Sequence, residues 1–183
     1  MCPNCEENGQ THLLLCNVPF FKDVIICSFK CEHCGYANNE IQSAASLDEH
    51  GCTIRLTVAE PNDLNREVVK SEHAVIRFPE LDFEIPKTTQ KGSLNTIEGI
   101  LQRAAESLAV EQPYRYVQAP EIAARIDEII ITLKSMAMGS RLPFTLILDD
   151  PAGNSFISFD SNSYVIPEND PRMNFNRYQR TIE

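Results

Sequence analysis

The first apolar runs along the chain are short and strand-like. Leu13, Leu14, Leu15, Cys16 and Val18 fall in one run over positions 12–18. Val24, Ile25, Ile26, Cys27 and Phe29 fall in a second over positions 23–29. Pro19, Phe20 and Phe21 lie between them, where the chain has to reverse. Positions 42–49 form a polar, alanine-containing connector with some helical character. From Cys52 the period is two: Cys52, Ile54, Leu56 and Val58 alternate with Thr53, Arg55 and Thr57, the signature of a half-buried strand. Further strands are predicted at 68–69, 74–78 and 81–85, with Glu60-Pro61-Asn62-Asp63 as a turn and Pro86 as a stop.

The period then lengthens. Leu94, Ile97, Ile100, Leu101, Ala104, Ala105 and Leu108 recur at helical spacing, with Ser93 as the expected N-cap. A second helix is predicted from Pro120, whose apolar stripe is Ile122, Ile126, Ile129, Ile130 and Leu133, with Gly139 closing it. Together they predict a helical hairpin at about residues 93–139, inserted between strands. Strands at 144–148 and 155–159 flank an Asp149–Asn154 turn. Beyond Asn162, Asn and Pro recur and no element is predicted.

Composition narrows the classes. The chain has 183 residues, enough for a small module plus one domain. With 43% hydrophobic and 23% charged residues it is globular rather than disordered. The apolar runs are too short to span a bilayer, and the N-terminus carries no secretory pattern. The net charge is −10, the reverse of a nucleic-acid footprint.

Seven cysteines include two C-x-x-C pairs, Cys2/Cys5 and Cys31/Cys34. In a reducing compartment that spacing is a metal site, not a disulfide framework. Zinc takes four thiolates in a tetrahedron, and two cysteines separated by two residues reach one ion from a single tight turn. Gly35, directly after Cys34, lets that turn close. The first knuckle differs, with Glu6 at the matching place. Cys2, Cys5, Cys31 and Cys34 are therefore the expected ligands of one structural zinc ion. Four thiolates leave no open position for a reacting water. Cys16, Cys27 and Cys52 are expected to be buried small hydrophobes, and His33, beside Cys34, a spectator.

The ribbon so formed is acidic. Positions 1–50 hold Glu6, Glu7, Asp23, Glu32, Glu40, Asp48 and Glu49 against Lys22 and Lys30. A nucleic-acid-binding ribbon of the translation machinery is an alternative that this charge opposes, because phosphate contacts dominate such affinity. A protein partner fits better. The aromatic tip at Phe20 and Phe21 either anchors in such a partner or packs on the neighbouring domain. No nucleotide-binding glycine motif is present. Asp149-Asp150 and Lys91-Gly92-Ser93 are sufficiently explained as turn and helix-cap chemistry. His12, His33, His50 and His73 are scattered, so a metal-dependent enzyme is a weak competitor, and the chain is read as a non-enzyme.

Several strings resemble those of one family. Cys2-x-x-Cys5, Pro19-Phe20-Phe21, Cys31-Glu32-His33-Cys34-Gly35-Tyr36 and Asn38-Asn39-Glu40-Ile41-Gln42 are similar to the zinc finger of the eukaryotic ZPR1 proteins. Asn65-Arg66-Glu67-Val68-Val69-Lys70, Glu80-Leu81-Asp82-Phe83-Glu84-Ile85-Pro86, Gln90-Lys91-Gly92 and Asp149-Asp150-Pro151-Ala152-Gly153-Asn154-Ser155 resemble its following domain. The resemblance implies a mainly β fold with an α-helical hairpin: a zinc ribbon, then a double-stranded β-helix, or jelly-roll-like, domain. It implies a folding chaperone for translation elongation factor 1A, coupled to the client's GTP cycle, in cytoplasm and nucleus. It also implies contacts with receptor tyrosine kinase tails, as a signalling adaptor, and with the survival motor neuron complex. By the same resemblance the ribbon–domain pair usually occurs twice in the family, so this single unit reads as the N-terminal half of a longer chain. The expected division is a ribbon at 1–40, a linker at 41–51 and a β domain at 52–183.

Overall fold

The computed structural model describes residues 1–17, 22–44, 49–87, 92–158 and 170–180. The ribbon is an antiparallel sheet of three strands, β1 (Gln10–Asn17), β2 (Asp23–Lys30) and β3 (Ala37–Ser43), in that order. Leu14 lies opposite Ile26, which lies opposite Ile41. The third strand was not expected: it crosses the predicted boundary at residue 40 and occupies the start of the predicted connector. Its sequence is polar except for Ala37 and Ile41, because backbone pairing to β2 rather than burial holds it. The predicted helical character of 42–49 falls partly on 45–48, outside the described residues.

Among the described residues eight strands follow in two sheets. β4 (His50–Val58), β6 (Val75–Phe78), β7 (Phe83–Ile85), β9 (Phe144–Asp150) and β11 (Met173–Gln179) form one, in the order β11-β4-β9-β6-β7. β5 (Glu67–Lys70), β8 (Ser93–Thr96) and β10 (Phe156–Ile157) form the other, in the order β10-β5-β8. The period-two reading of β4 holds, with Ile54, Leu56 and Val58 buried and Arg55 and Thr57 turned outward. Leu146 and Leu148 on β9 lie beside them.

Among the described residues three helices cover this core: α1 (Ile97–Val110), α2 (Gln112–Gln118) and α3 (Pro120–Ala137). Ser93 is not the N-cap. Pairing with β5 keeps Ser93–Thr96 extended, and Thr96 caps α1 by accepting a hydrogen bond from the Gly99 N–H at 3.1 Å. Leu94 accordingly sits on a strand and is partly exposed. The short α2 occupies what was expected to be the hairpin loop. On α3 the buried stripe is Ala123, Ile130, Leu133, Met136 and Ala137, while Ile122 is exposed. Among the described residues no helix is long and apolar enough to cross a membrane.

The C-terminal segment, for which no element was predicted, completes the domain. β11 pairs with β4 along its length. Just before it, Asp170 accepts a 2.5 Å bond from Arg66, which also reaches Asp63 at 2.9 Å, and all three side chains are buried. Arg172 adds a 2.9 Å bond to Asp63 and a further pair with Glu60. Burial pushes the Asp63 carboxyl up, but the N–H groups of Ala59 and Glu60 and the Arg66 guanidinium outweigh it and hold it low.

Candidate metal centre

The two C-x-x-C turns sit at the same end of the ribbon, brought together because β1 and β2 lie between them and return the chain. They have the same backbone wiring. The Cys2 N–H donates to Glu7 O and the Cys31 N–H to Tyr36 O, both at 2.8 Å. The Glu6 N–H donates to Cys2 O at 2.9 Å and the Gly35 N–H to Cys31 O at 3.0 Å. Closing such a turn needs a left-handed residue after the second cysteine. Gly35 provides it at φ 73° without strain, and Glu6 adopts φ 61° at a steric cost.

The four sulfurs of Cys2, Cys5, Cys31 and Cys34 all lie within 4.8 Å of one another. Cys2 and Cys34 Sγ are 3.6 Å apart, and Cys5 and Cys31 Sγ 3.5 Å. A zinc–sulfur bond of about 2.3 Å in a tetrahedron places sulfurs about 3.8 Å apart, so the cage fits zinc. The cage draws two ligands from each end of the strand pair. Cys2 and Cys31 are buried, Cys5 is half-buried and Cys34 is exposed.

Within this cluster the thiols of Cys34 and Cys5 are pushed in opposite directions. The Asn4 side chain and the Tyr36 N–H draw Cys34 down to about 6. The Glu7 N–H pulls Cys5 down as well, but burial and the sulfurs of Cys34, Cys31 and Cys2 outweigh it and push Cys5 up to about 12. A divalent cation removes the conflict by displacing every proton, which is the chemistry of a zinc-thiolate site. The Asn4 N–H lies 3.4 Å from Cys2 Sγ and helps disperse charge on that sulfur.

The remaining sequence candidates fall elsewhere. Phe20 and Phe21 lie in 18–21, outside the described residues. His33 is exposed on the second knuckle. Cys52 is buried and its thiol is pushed up to about 11, first by burial and then by the Asp150 charge, so it is inert. Cys16 and Cys27 are only half-buried, a correction to their expected burial: Cys27 faces away from the β domain with no layer over it, and Cys16 lies on the edge strand at the rim of the contact with that domain. Asp150 does form turn structure, accepting from the N–H groups of Ala152 and Asn154 and from Ser155 Oγ.

Sequence reasoning missed how the ribbon is held. Val24 packs against Val69, with Cys16, Ile41 and Phe156 around them. Lys22 Nζ donates to Asn154 Oδ1 at 2.8 Å, and the Ile41 N–H donates to Gly92 O at 2.9 Å. A Cβ on Gly92 would lie 2.0 Å from Ile41 O, so only glycine allows β3 this close to β8. The polar string around Ile41 was the available signal, and it was assigned to a linker.

Two family models match the chain, one over each part. Models of the ZPR1 zinc-finger domain and the ZPR1 jelly-roll domain match residues 1–49 and 62–183. Zinc finger protein ZPR1 of Mus musculus is 48% identical over 181 residues, 99% of this chain and 38% of that protein. Zinc finger chaperone zpr1 of Schizosaccharomyces pombe is 38% identical over 183 residues, 100% of this chain and 38% of that protein. A ZPR1-like protein of Pyrococcus horikoshii is 31% identical over 159 residues, 84% of this chain and 70% of its own length. The chain thus spans about two fifths of the length of the eukaryotic relatives.

Proposed function

The chain belongs to the ZPR1 family, and from that membership we propose that it is a zinc-dependent protein-binding module that chaperones translation elongation factor 1A in step with the client's GTP cycle, in cytoplasm and nucleus. The observation that carries this reading is the closed four-sulfur site. With four thiolate ligands the ion has no position for substrate, so its role is to hold a surface in shape. That surface is acidic, with Glu6, Glu7, Asp23, Glu32 and Glu40 against Lys22 and Lys30, and it suits a basic protein client rather than phosphate. The fission-yeast relative named a zinc finger chaperone aligns along the full chain. Phe20 and Phe21 are the proposed aromatic anchors.

The test is size-exclusion binding of the zinc-loaded chain to purified elongation factor 1A with GDP, GTP or neither. A complex whose yield depends on the nucleotide is expected. Absence of a complex in all three conditions would refute the reading. Phe20→Ala/Phe21→Ala protein is expected to lose most of the complex, and unchanged capture would remove those two residues from the interface.

A further inference from the structure

We propose that the free edge of β1 is a docking strand that takes an extended partner segment as a fourth strand of the ribbon, a segment with an apolar middle and a cationic residue at each end. The proposal rests on the chaperone reading only for the identity of the protein that owns the segment.

The edge is unusual in being unguarded. A long exposed edge strand is a template for pairing, and proteins blunt it with lysine, proline, bulges or short length. β1 runs for eight residues, QTHLLLCN, with no proline, lysine, arginine or carboxylate. It pairs with β2 from end to end without a bulge. Leu13, Leu14 and Leu15 are 69%, 61% and 65% exposed. The other edge of the ribbon is occupied, because β3 lies against β8 through the Ile41 to Gly92 bond. Among the described residues nothing pairs with the outer side of β1.

Register decides what would fit. Residues directly opposite one another share a face of the sheet. Leu14 continues the row of Ile26 and Ile41, and Cys16 continues the Val24 row, on the face toward the β domain. Leu13 and Leu15 continue the rows of Cys27 and Ile25 on the opposite face. A strand added beside β1 therefore meets leucines on both of its faces. Its middle must be a continuous Val, Ile or Leu run rather than an alternating one.

Charge decides the ends. Gln10 at the start of β1 holds Glu32 by a 3.2 Å hydrogen bond, and Asn17 at its end holds Asp23 at 2.7 Å. Both carboxylate-bearing residues are exposed. The apolar strand is thus bracketed by a carboxylate at each end; Lys30 stands opposite Gln10 and offsets Glu32, but four thiolates around Zn²⁺ add two further negative charges at that end and keep it net negative. Lysine or arginine at both ends of the partner segment complements this. A second copy of the chain does not, because pairing two β1 strands would bring like charges together.

The experiment uses the full zinc-loaded chain and a synthetic peptide of about the length of β1, with a Val/Ile core and lysines at both ends. Amide exchange by NMR is expected to slow at alternate residues of β1, those whose N–H points outward, and not at the helices. The same peptide with glutamate ends is expected to bind at least about tenfold more weakly, a comparison that needs no variant. Leu14→Lys and, separately, Leu13→Lys are expected to weaken the lysine-ended peptide by a similar factor, with the rest of the spectrum unchanged. No peptide binding overturns the proposal. So does binding that leaves β1 amides unprotected, or a dimer that protects them without peptide. In a second arm, elongation factor 1A replaces the peptide. If the factor fails to bind while the peptide protects β1, the chaperone reading falls and the docking strand stands. If the factor binds and β1 stays unprotected while the peptide also fails, the docking strand falls alone.

Discussion

Removing zinc separates the two halves of the molecule thermodynamically. The ribbon buries little of its own: among the described residues its fully covered side chains are Cys2, Cys31 and Val24, and the first two are ligands. Burying one valine contributes about 1.5–3 kcal/mol. Zinc binding by small four-ligand modules contributes an apparent ~10–16 kcal/mol at neutral pH. The ion therefore outweighs the ribbon's apolar core several-fold. The β domain has the opposite balance, since no buried residue of its main cluster precedes Ile54. Chelation is thus expected to unfold residues 1–44 and to leave the β domain folded. Amide spectra of the chelated chain should lose the dispersed β1–β3 signals and keep those of β4, β9 and the helices. Trypsin should then cut after Lys22 and Lys30 at rates typical of an unfolded chain, and added zinc should restore resistance. Cys31→Ser/Cys34→Ser should reproduce the chelated state. Protected β1–β3 amides in metal-free protein would refute the argument, because they would show that packing on Val69 and Phe156 suffices.

Three further outcomes follow from particular contacts. Glu6→Gly is expected to stabilise the zinc-loaded ribbon by about 1 kcal/mol, since a left-handed L-residue costs ~1–2 kcal/mol and glycine returns part of that as unfolded-state entropy; chelator competition measures it, and a weaker hold on zinc would contradict it. Gly92→Ala is expected to detach β3 from β8 with one zinc per chain retained, seen as loss of contacts between Ile41 and residue 92 in NMR. Arg66→Met leaves Asp63 and Asp170 buried without their shared cation and is expected to cost about 3–5 kcal/mol in urea unfolding. The Asp63 carboxyl is held low in the folded state, so its contribution is present above the ordinary carboxylate range and is lost as pH falls through that depressed value. Wild-type stability should therefore drop on acidification over that window, and the drop should be smaller in Arg66→Met.

The sequence carried the metal centre and the alternating strands because both are local patterns. Cys2, Cys5, Cys31 and Cys34 declare themselves by spacing, and Ile54, Leu56 and Val58 by period. It did not carry elements held by partners distant along the chain. β3 has one large apolar residue, Ile41, and exists because β2 supplies its hydrogen bonds. β11 exposes most of its residues and exists because β4 has an open edge to pair with. Ser93 was expected to cap a helix that starts four residues later, because β5 holds Ser93–Thr96 extended. Cys16 and Cys27 were expected to be covered; Cys27 lies on the sheet face with no second layer over it, and Cys16, at the edge of the Val24–Val69 contact, is covered only in part.

The buried Arg66 joins Asp63, which lies early in the β domain, to Asp170, which lies near its end. During synthesis from the N-terminus the ribbon is finished once Ser43 has emerged, and it can take up its ion while most of the chain is still unmade. The β domain waits for its last strand, because until residues 170–180 leave the ribosome β4 lacks its outer neighbour and Arg66 one of its two counter-ions. The nascent protein thus presents a metal-loaded ribbon long before it presents a completed β domain, and any ligand of the ribbon meets its site before the domain that steadies it has formed.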